Sequence, residues 1–167
     1  HGFSITGQEL FGYFPGAVLT KLKDLAKSPL VRQPLVDGPL TLGDAYLGGA
    51  WKTLLIAGLG AGGKSVVGLD VTNITQSSGS GTFTASNILF EVTDADMGYS
   101  YAKPVVGRTA KGDWVAIWGN GYGGATGRAV LFVYNLTTKT LSKVDTGVGS
   151  LTVGSENGLG SPVGVEF

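Results

Sequence analysis

The chain has 167 residues, with twelve lysines and arginines balanced by twelve aspartates and glutamates, so its formal net charge is zero. That length suits one domain with a real core, and scattered, balanced charge offers no basic face for nucleic acid. The absence of cysteine removes disulfides, thiolate metal sites and cysteine nucleophiles, and no apolar run reaches the roughly 18 residues of a membrane-spanning helix.

Glycine is 29 of the residues and 43% of the chain is apolar, against only 14% charged. That mixture describes short strands joined by tight turns, since no Gly-X-Y period exists and the apolar content is too high for disorder. In chain order, residues 1–14 read as two short strands around a Thr6-Gly7 turn. Val18, Leu19, Leu22 and Leu25 recur at near-helical spacing, so one short helix is expected over 16–26, stopped by Ser28-Pro29. Residues 30–37 read as a connector. Strands follow at 39–42, 52–58, 66–71 and 88–92, with a polar loop at 73–86 between the last two. The pattern then restarts, at 104–106, 114–118, 129–134 and 141–144, and a third start opens at Ser161-Pro162-Val163.

These strands form a repeat. Trp51 to Gly58 runs into Leu59-Gly60-Ala61-Gly62-Gly63-Lys64 and then an apolar strand ending Leu69-Asp70-Val71-Thr72. Trp114 to Trp118 runs into Gly119-Asn120-Gly121-Tyr122-Gly123-Gly124 and then an apolar strand ending Asn135-Leu136-Thr137. Trp51 and Trp114 stand 63 residues apart, and Pro39 and Pro104 stand 65 apart. A four-stranded antiparallel unit recurring this way is the mark of a β-propeller blade, longer than the common ~40–50 residues. The expected fold is therefore all-β, a partial β-propeller with about two complete four-stranded antiparallel blades plus parts of two more. The blades are placed at 36–93 and 102–146. Residues 1–14 are read as the end of a preceding blade and 161–167 as the first strand of a following one. A closed propeller takes roughly four to eight blades, so the chain reads as part of something larger. Its open edges lead to the expectation that it oligomerises or aggregates when isolated.

Candidate chemistry is weighed against this geometry. Gly58 with Gly63-Lys64-Ser65 has the spacing of a phosphate loop, but such a loop opens a helix, and Val66 to Val71 is β-branched. A hairpin turn with a solvated Lys64 is expected instead. Asp94-Ala95-Asp96 starts like a calcium loop, yet Gly98, Tyr99 and Val105 stand where further ligands and the turn glycine belong. The pair is read as a turn whose carboxylates cap backbone N–H groups. Glu91, Asp94 and Asp96 could pair as acid and base for glycoside hydrolysis, but nothing in the sequence sets their separation. His1 is the single histidine, which leaves a Ser-His-Asp triad or a histidine metal site unsupported. Trp51 and Trp114 share a repeat position, which favours packing between blades over a sugar platform, while Trp118 departs from the repeat. No catalytic, cofactor-binding or metal-binding residue is assigned.

The ordered motifs Thr6-Gly7-Gln8-Glu9-Leu10-Phe11-Gly12-Tyr13-Phe14-Pro15, Val36-Asp37-Gly38-Pro39, Trp51 to Lys64, Leu69-Asp70-Val71-Thr72, Asp94-Ala95-Asp96-Met97-Gly98-Tyr99 and Gly119-Asn120-Gly121-Tyr122 resemble the C-terminal propeller of the PilC/PilY family. Its members are pilus-tip adhesin and biogenesis proteins of type IV pili in Gram-negative bacteria. The resemblance covers nearly the whole chain. It implies a non-enzymatic extracellular protein at the pilus tip or outer-membrane surface, serving pilus assembly, adhesion and twitching motility. It implies minor or major pilins and host or abiotic surfaces as partners. It also implies a calcium loop, expected only beyond Phe167, and an N-terminal von Willebrand A-like module, so no cofactor is assigned within these residues. Loops 73–86 and 145–160 are the expected contact loops, being long and polar. The alternative is a quinoprotein-like propeller dehydrogenase, whose blades share Trp and Gly-rich turns.

Overall fold

The structure is a computed structural model and describes residues 1–29, 32–76, 78–79 and 81–164. Two four-stranded antiparallel sheets dominate it. The first runs β3 (Leu40–Leu47), β4 (Ala50–Gly58), β5 (Ser65–Asp70) and β6 (Ile88–Thr93), neighbouring in that order. The second runs β7 (Val105–Arg108), β8 (Trp114–Gly119), β9 (Arg128–Asn135) and β10 (Thr140–Gly149), again in simple up-and-down order. A two-stranded hairpin, β1 (Gly2–Phe3) with β2 (Glu9–Phe11), precedes both. The expected helix is a 3₁₀ segment over Gly16–Lys21 that widens into one α turn, α1 (Leu22–Leu25).

Alternation explains the stacking. In β4 and β5 the register pairs Leu54 with Asp70, Ile56 with Gly68 and Gly58 with Val66. Side chains two apart share a face, so Leu54, Ile56 and Val66 point one way. In the second sheet Ala116 pairs with Tyr134 and Trp118 with Phe132. These two sets meet, with Phe90, Val92, Met97 and Val130, in one buried cluster between the sheets. Each such large apolar side chain contributes about 1.5–3 kcal/mol by leaving water. Gly43 sits where a Cβ would lie 2.8 Å from Val106, and the Thr41 hydroxyl donates to the Pro104 carbonyl at 2.6 Å, so β3 and β7 also meet closely.

Several expectations need correcting. The strand placed at 39–42 extends to Leu47, because Asp44 and Tyr46 continue the alternation on its exposed side. The strand placed at 141–144 spans Thr140–Gly149, so residues 145–149 of the expected loop are the far end of β10. Trp118, which departs from the repeat, is a core residue. It is fully buried and lies nearly parallel to Phe90 and Phe132, at 6.1 and 6.0 Å. Residues 161–164 carry no strand, and 165–167 lie outside the described residues, as do Leu30 and Val31 of the connector.

The far faces of the two sheets remain open. On the first, Leu40 and Leu42 are 57% and 66% exposed. On the second, Val144 and Val148 on β10 are exposed. Part of the first open face is roofed by the N-terminal hairpin, and between them lies an apolar groove of about 650 Å³. Glu91 fixes that roof. Its carboxylate accepts from the N–H groups of Gly16 and Ala17 at 2.9 and 2.7 Å and from the Tyr13 hydroxyl at 3.1 Å. Burial, followed by the adjacent Glu91 charge, pushes the Tyr13 hydroxyl up to about 12.

Candidate functional site

The Gly-rich segment after β4 is a turn into β5, with no helix behind it. Several of its N–H groups are already spent: Leu59 donates to the Ser100 hydroxyl at 2.7 Å, Gly60 to the Ser100 carbonyl at 3.3 Å, and Gly62 to the Leu59 carbonyl at 2.9 Å. With these donors taken and a strand following, the turn does not present the N–H cradle at a helix start that a phosphate loop needs. Two glycines are required by shape. Gly60 has φ +57°, and a Cβ on Gly62 would lie 1.7 Å from the Leu35 carbonyl oxygen.

The turn holds the two sheets together. Ser100, from the segment crossing between them, also donates to the Ser65 carbonyl at 2.7 Å, and the Ser65 hydroxyl donates to the Val92 carbonyl at 2.9 Å. Lys64 is not simply solvated. Its ammonium bonds the Gly123 carbonyl of the second sheet's matching turn and lies 5.5 Å from the Tyr99 ring centre. Lys21 reaches the Gly62 carbonyl from the other side at 2.7 Å.

The turn after β8 carries a second buried junction residue. Asn120 is fully buried. Its amide donates to the carbonyls of Asp96 and Arg128 at 3.0 and 2.8 Å. Its oxygen accepts from the N–H groups of Val130 and Leu159 at 3.0 and 2.9 Å. An Asn side chain has two donors and an acceptor with two lone pairs, so every position is filled. One side chain thereby joins the crossing segment, β9 and the tail after β10. Neither Asn120 nor Ser100 was singled out from the sequence. Asn120 stands within a quoted motif, but a buried Asn and a turn Asn look alike in a Gly-rich stretch.

The three carboxylates weighed as an acid–base pair serve separate structural roles. Glu91 serves the hairpin roof, while Asp94 and Asp96 hold Lys143 of β10, whose ammonium lies 2.9 and 2.8 Å from them. Asp94 also accepts from the Asp96 N–H at 2.9 Å, the capping role expected of it. The Lys143 and Thr126 hydrogen bonds hold the Asp96 carboxyl below its usual range. A depressed carboxyl pKa stabilises the fold above the unfolded value near ~3.9, and that contribution disappears as pH falls through the folded value. Acid titration of stability from about pH 6 to about pH 3 should therefore be steeper in the wild type than in Lys143→Ala. Equal slopes would show that this pair contributes nothing.

His1 pairs with Glu9 at 2.8 Å, on the hairpin. Among the described residues no cluster of three or more His, Asp or Glu side chains could hold a metal ion. No helix among them is long and apolar enough to cross a membrane. Trp51 and Trp114 touch edge-on at 5.6 Å, as packing between repeats would have it, but Trp51 stands at the tip of the β3–β4 hairpin and stays largely exposed.

The geometry has relatives. A protein of Xylella fastidiosa named type IV pilus biogenesis factor PilY1 homolog is 42% identical over 171 residues, covering 96% of this chain and 11% of its own length. The PilY1 factor of Pseudomonas aeruginosa is 38% identical over 166 residues, covering 95% of this chain and 13% of its own. The chain thus spans only about a tenth of the curated relatives it matches. The crystal structure of the Pseudomonas aeruginosa PilY1 C-terminal domain superposes with a TM-score of 0.76 at 33% identity, covering 99% of this chain and 31% of that one. The sequence pattern described as the PilY1 beta-propeller domain matches residues 8–166, and the chain, with its two stacked four-stranded sheets, belongs to that family.

Proposed function

We propose that this chain is two blades of a larger propeller, and that the protein carrying it supports type IV pilus biogenesis by contact rather than by chemistry. The observation that carries this reading is the extent of the likeness: it runs through nearly every described element of the chain, and the relatives are named as pilus biogenesis factors. The sheets span 40–93 and 105–149, close to the blade limits read from the repeat. The hairpin at 1–14 would then close a preceding blade, and the residues from 161 would lead into a following one. The two open apolar faces would be covered by those neighbouring blades. Adhesion and twitching motility belong to the same reading, with pilins and a host or abiotic surface as partners and the pilus tip or outer-membrane surface as location. A family calcium loop is expected beyond Phe167.

Deleting residues 36–149 in the full-length protein tests this. Surface pili should be lost and twitching abolished, with no change in quinone-dependent alcohol oxidation. Wild-type pilus numbers in that deletion strain, or loss of such an oxidation with it, would overturn the proposal and favour the dehydrogenase alternative.

A further inference from the structure

The tips of two hairpins meet at one end of the stacked sheets. Tyr46 pairs with Trp51 across the β3–β4 hairpin, and Arg108 pairs with Trp114 across β7 and β8. Trp51 stands edge-on to Tyr46 at 5.8 Å and to Trp114 at 5.6 Å, with planes 70° and 76° apart. With Arg108 and Asp113 these rings line a recess of about 340 Å³, near the lower end of the roughly 300–1,000 Å³ of small-ligand sites.

Two properties set this recess apart from ordinary packing. Two of its three aromatic rings are open to water, Trp51 at 60% and Tyr46 at 49%, while Trp114 is half-buried against the core, although rings of this size normally bury most of their surface. Its polar groups are held but not used up. Arg108 is anchored through Nε to the Gly112 carbonyl at 3.1 Å, which leaves its terminal amino groups for another acceptor. The Asp113 carboxylate has no hydrogen bond or ion pair among the described residues, while its backbone N–H is fixed to the Thr109 hydroxyl at 3.2 Å.

A fixed cationic donor, a free anionic acceptor and an exposed ring together select the ligand. An aromatic cage alone would suit a quaternary ammonium, but Arg108 already places a cation there. An anion would suit Arg108 but would meet Asp113. A neutral pyranose satisfies all three, laying its C–H face on the indole while its hydroxyls accept from Arg108 and donate to Asp113. We propose that this recess is a saccharide-binding subsite for one neutral pyranose of a larger glycan, with Trp51 as the stacking platform. The inference deepens the adhesion part of the proposed function and rests on it for its biological setting.

Titration of purified full-length protein with lacto-N-tetraose and with cellotetraose, followed by tryptophan fluorescence and saturation-transfer NMR, tests it. The first sugar represents animal cell surfaces and the second plant or biofilm β-glucan. Saturable binding of at least one is expected, weakened about tenfold or more by Trp51→Ala and by Asp113→Asn. Trp51→Phe should keep most of it. Trp51 is exposed and Asp113→Asn is nearly isosteric, so one of the two variants reads the site even if the other disturbs the hairpin. Failure of both sugars to bind, or undiminished binding by both variants, would overturn the subsite. Pilus assembly that still depends on the protein in that event would leave the proposed function standing.

Discussion

Replacing Asn120 with Ala should lower the stability of the propeller carrying this chain by about 3 kcal/mol or more. The side chain satisfies two buried carbonyls and two N–H groups drawn from three separate segments. Removing it orphans all four, and each unsatisfied buried group costs about 1–3 kcal/mol unless water reaches it. Asn120→Asp should also fail to rescue. It keeps the acceptor for Val130 and Leu159 but turns a carboxylate towards the carbonyls of Asp96 and Arg128. Ser100→Ala is the milder comparison, because Ser100 accepts from one N–H and donates to neighbouring carbonyls. Urea midpoints at unchanged m-value would rank the three variants. A change at Asn120 no larger than that at Ser100 would contradict the junction role.

Trp118→Ala should cost about 3–5 kcal/mol, the range for deleting a large buried aromatic. The ring is fully buried between Phe90 and Phe132, where the two sheets meet, so the cavity falls at the centre of their contact. Trp118→Phe should cost far less. The indole Nε1 has no hydrogen-bond partner among the described residues, so the smaller ring forfeits packing volume but none of the described polar contacts. The gap between these variants separates packing from hydrogen bonding at this position. Trp118→Phe as damaging as Trp118→Ala, by the same urea midpoints, would mean that the indole nitrogen matters after all.

Much of the fold was readable because two signals coincide. Period-2 alternation marked the strands, and the recurrence of Trp51 at Trp114 marked the repetition of one four-stranded sheet in the next. The strands that were cut short, β3 and β10, are those with exposed outer residues. Their polar and glycine positions, such as Asp44 and Gly147, read as turns, because their pairing comes from a neighbouring strand. Lys64 was misread for a related reason: its acceptor, the Gly123 carbonyl, lies 59 residues away in sequence. Asn120, in the turn after β8, and Ser100, on the segment crossing between the sheets, are both buried junction residues whose partners are distant in sequence. Nothing local marks either residue, because their roles are set by segments brought together only in the fold. The saccharide recess draws on two hairpins, and only their stacking brings Asp113 and Arg108 beside Trp51.

The central claim is that two stacked sheets form part of a propeller whose outer faces need neighbours. Leu40 and Leu42 on one side and Val144 and Val148 on the other are left facing water. Strands β6 and β10 end their sheets with unpaired backbone edges. Size-exclusion chromatography with light scattering of the 167-residue chain, followed by urea unfolding, measures the consequence directly. Oligomers or aggregates are predicted. A monodisperse monomer that unfolds in one cooperative transition would contradict the claim.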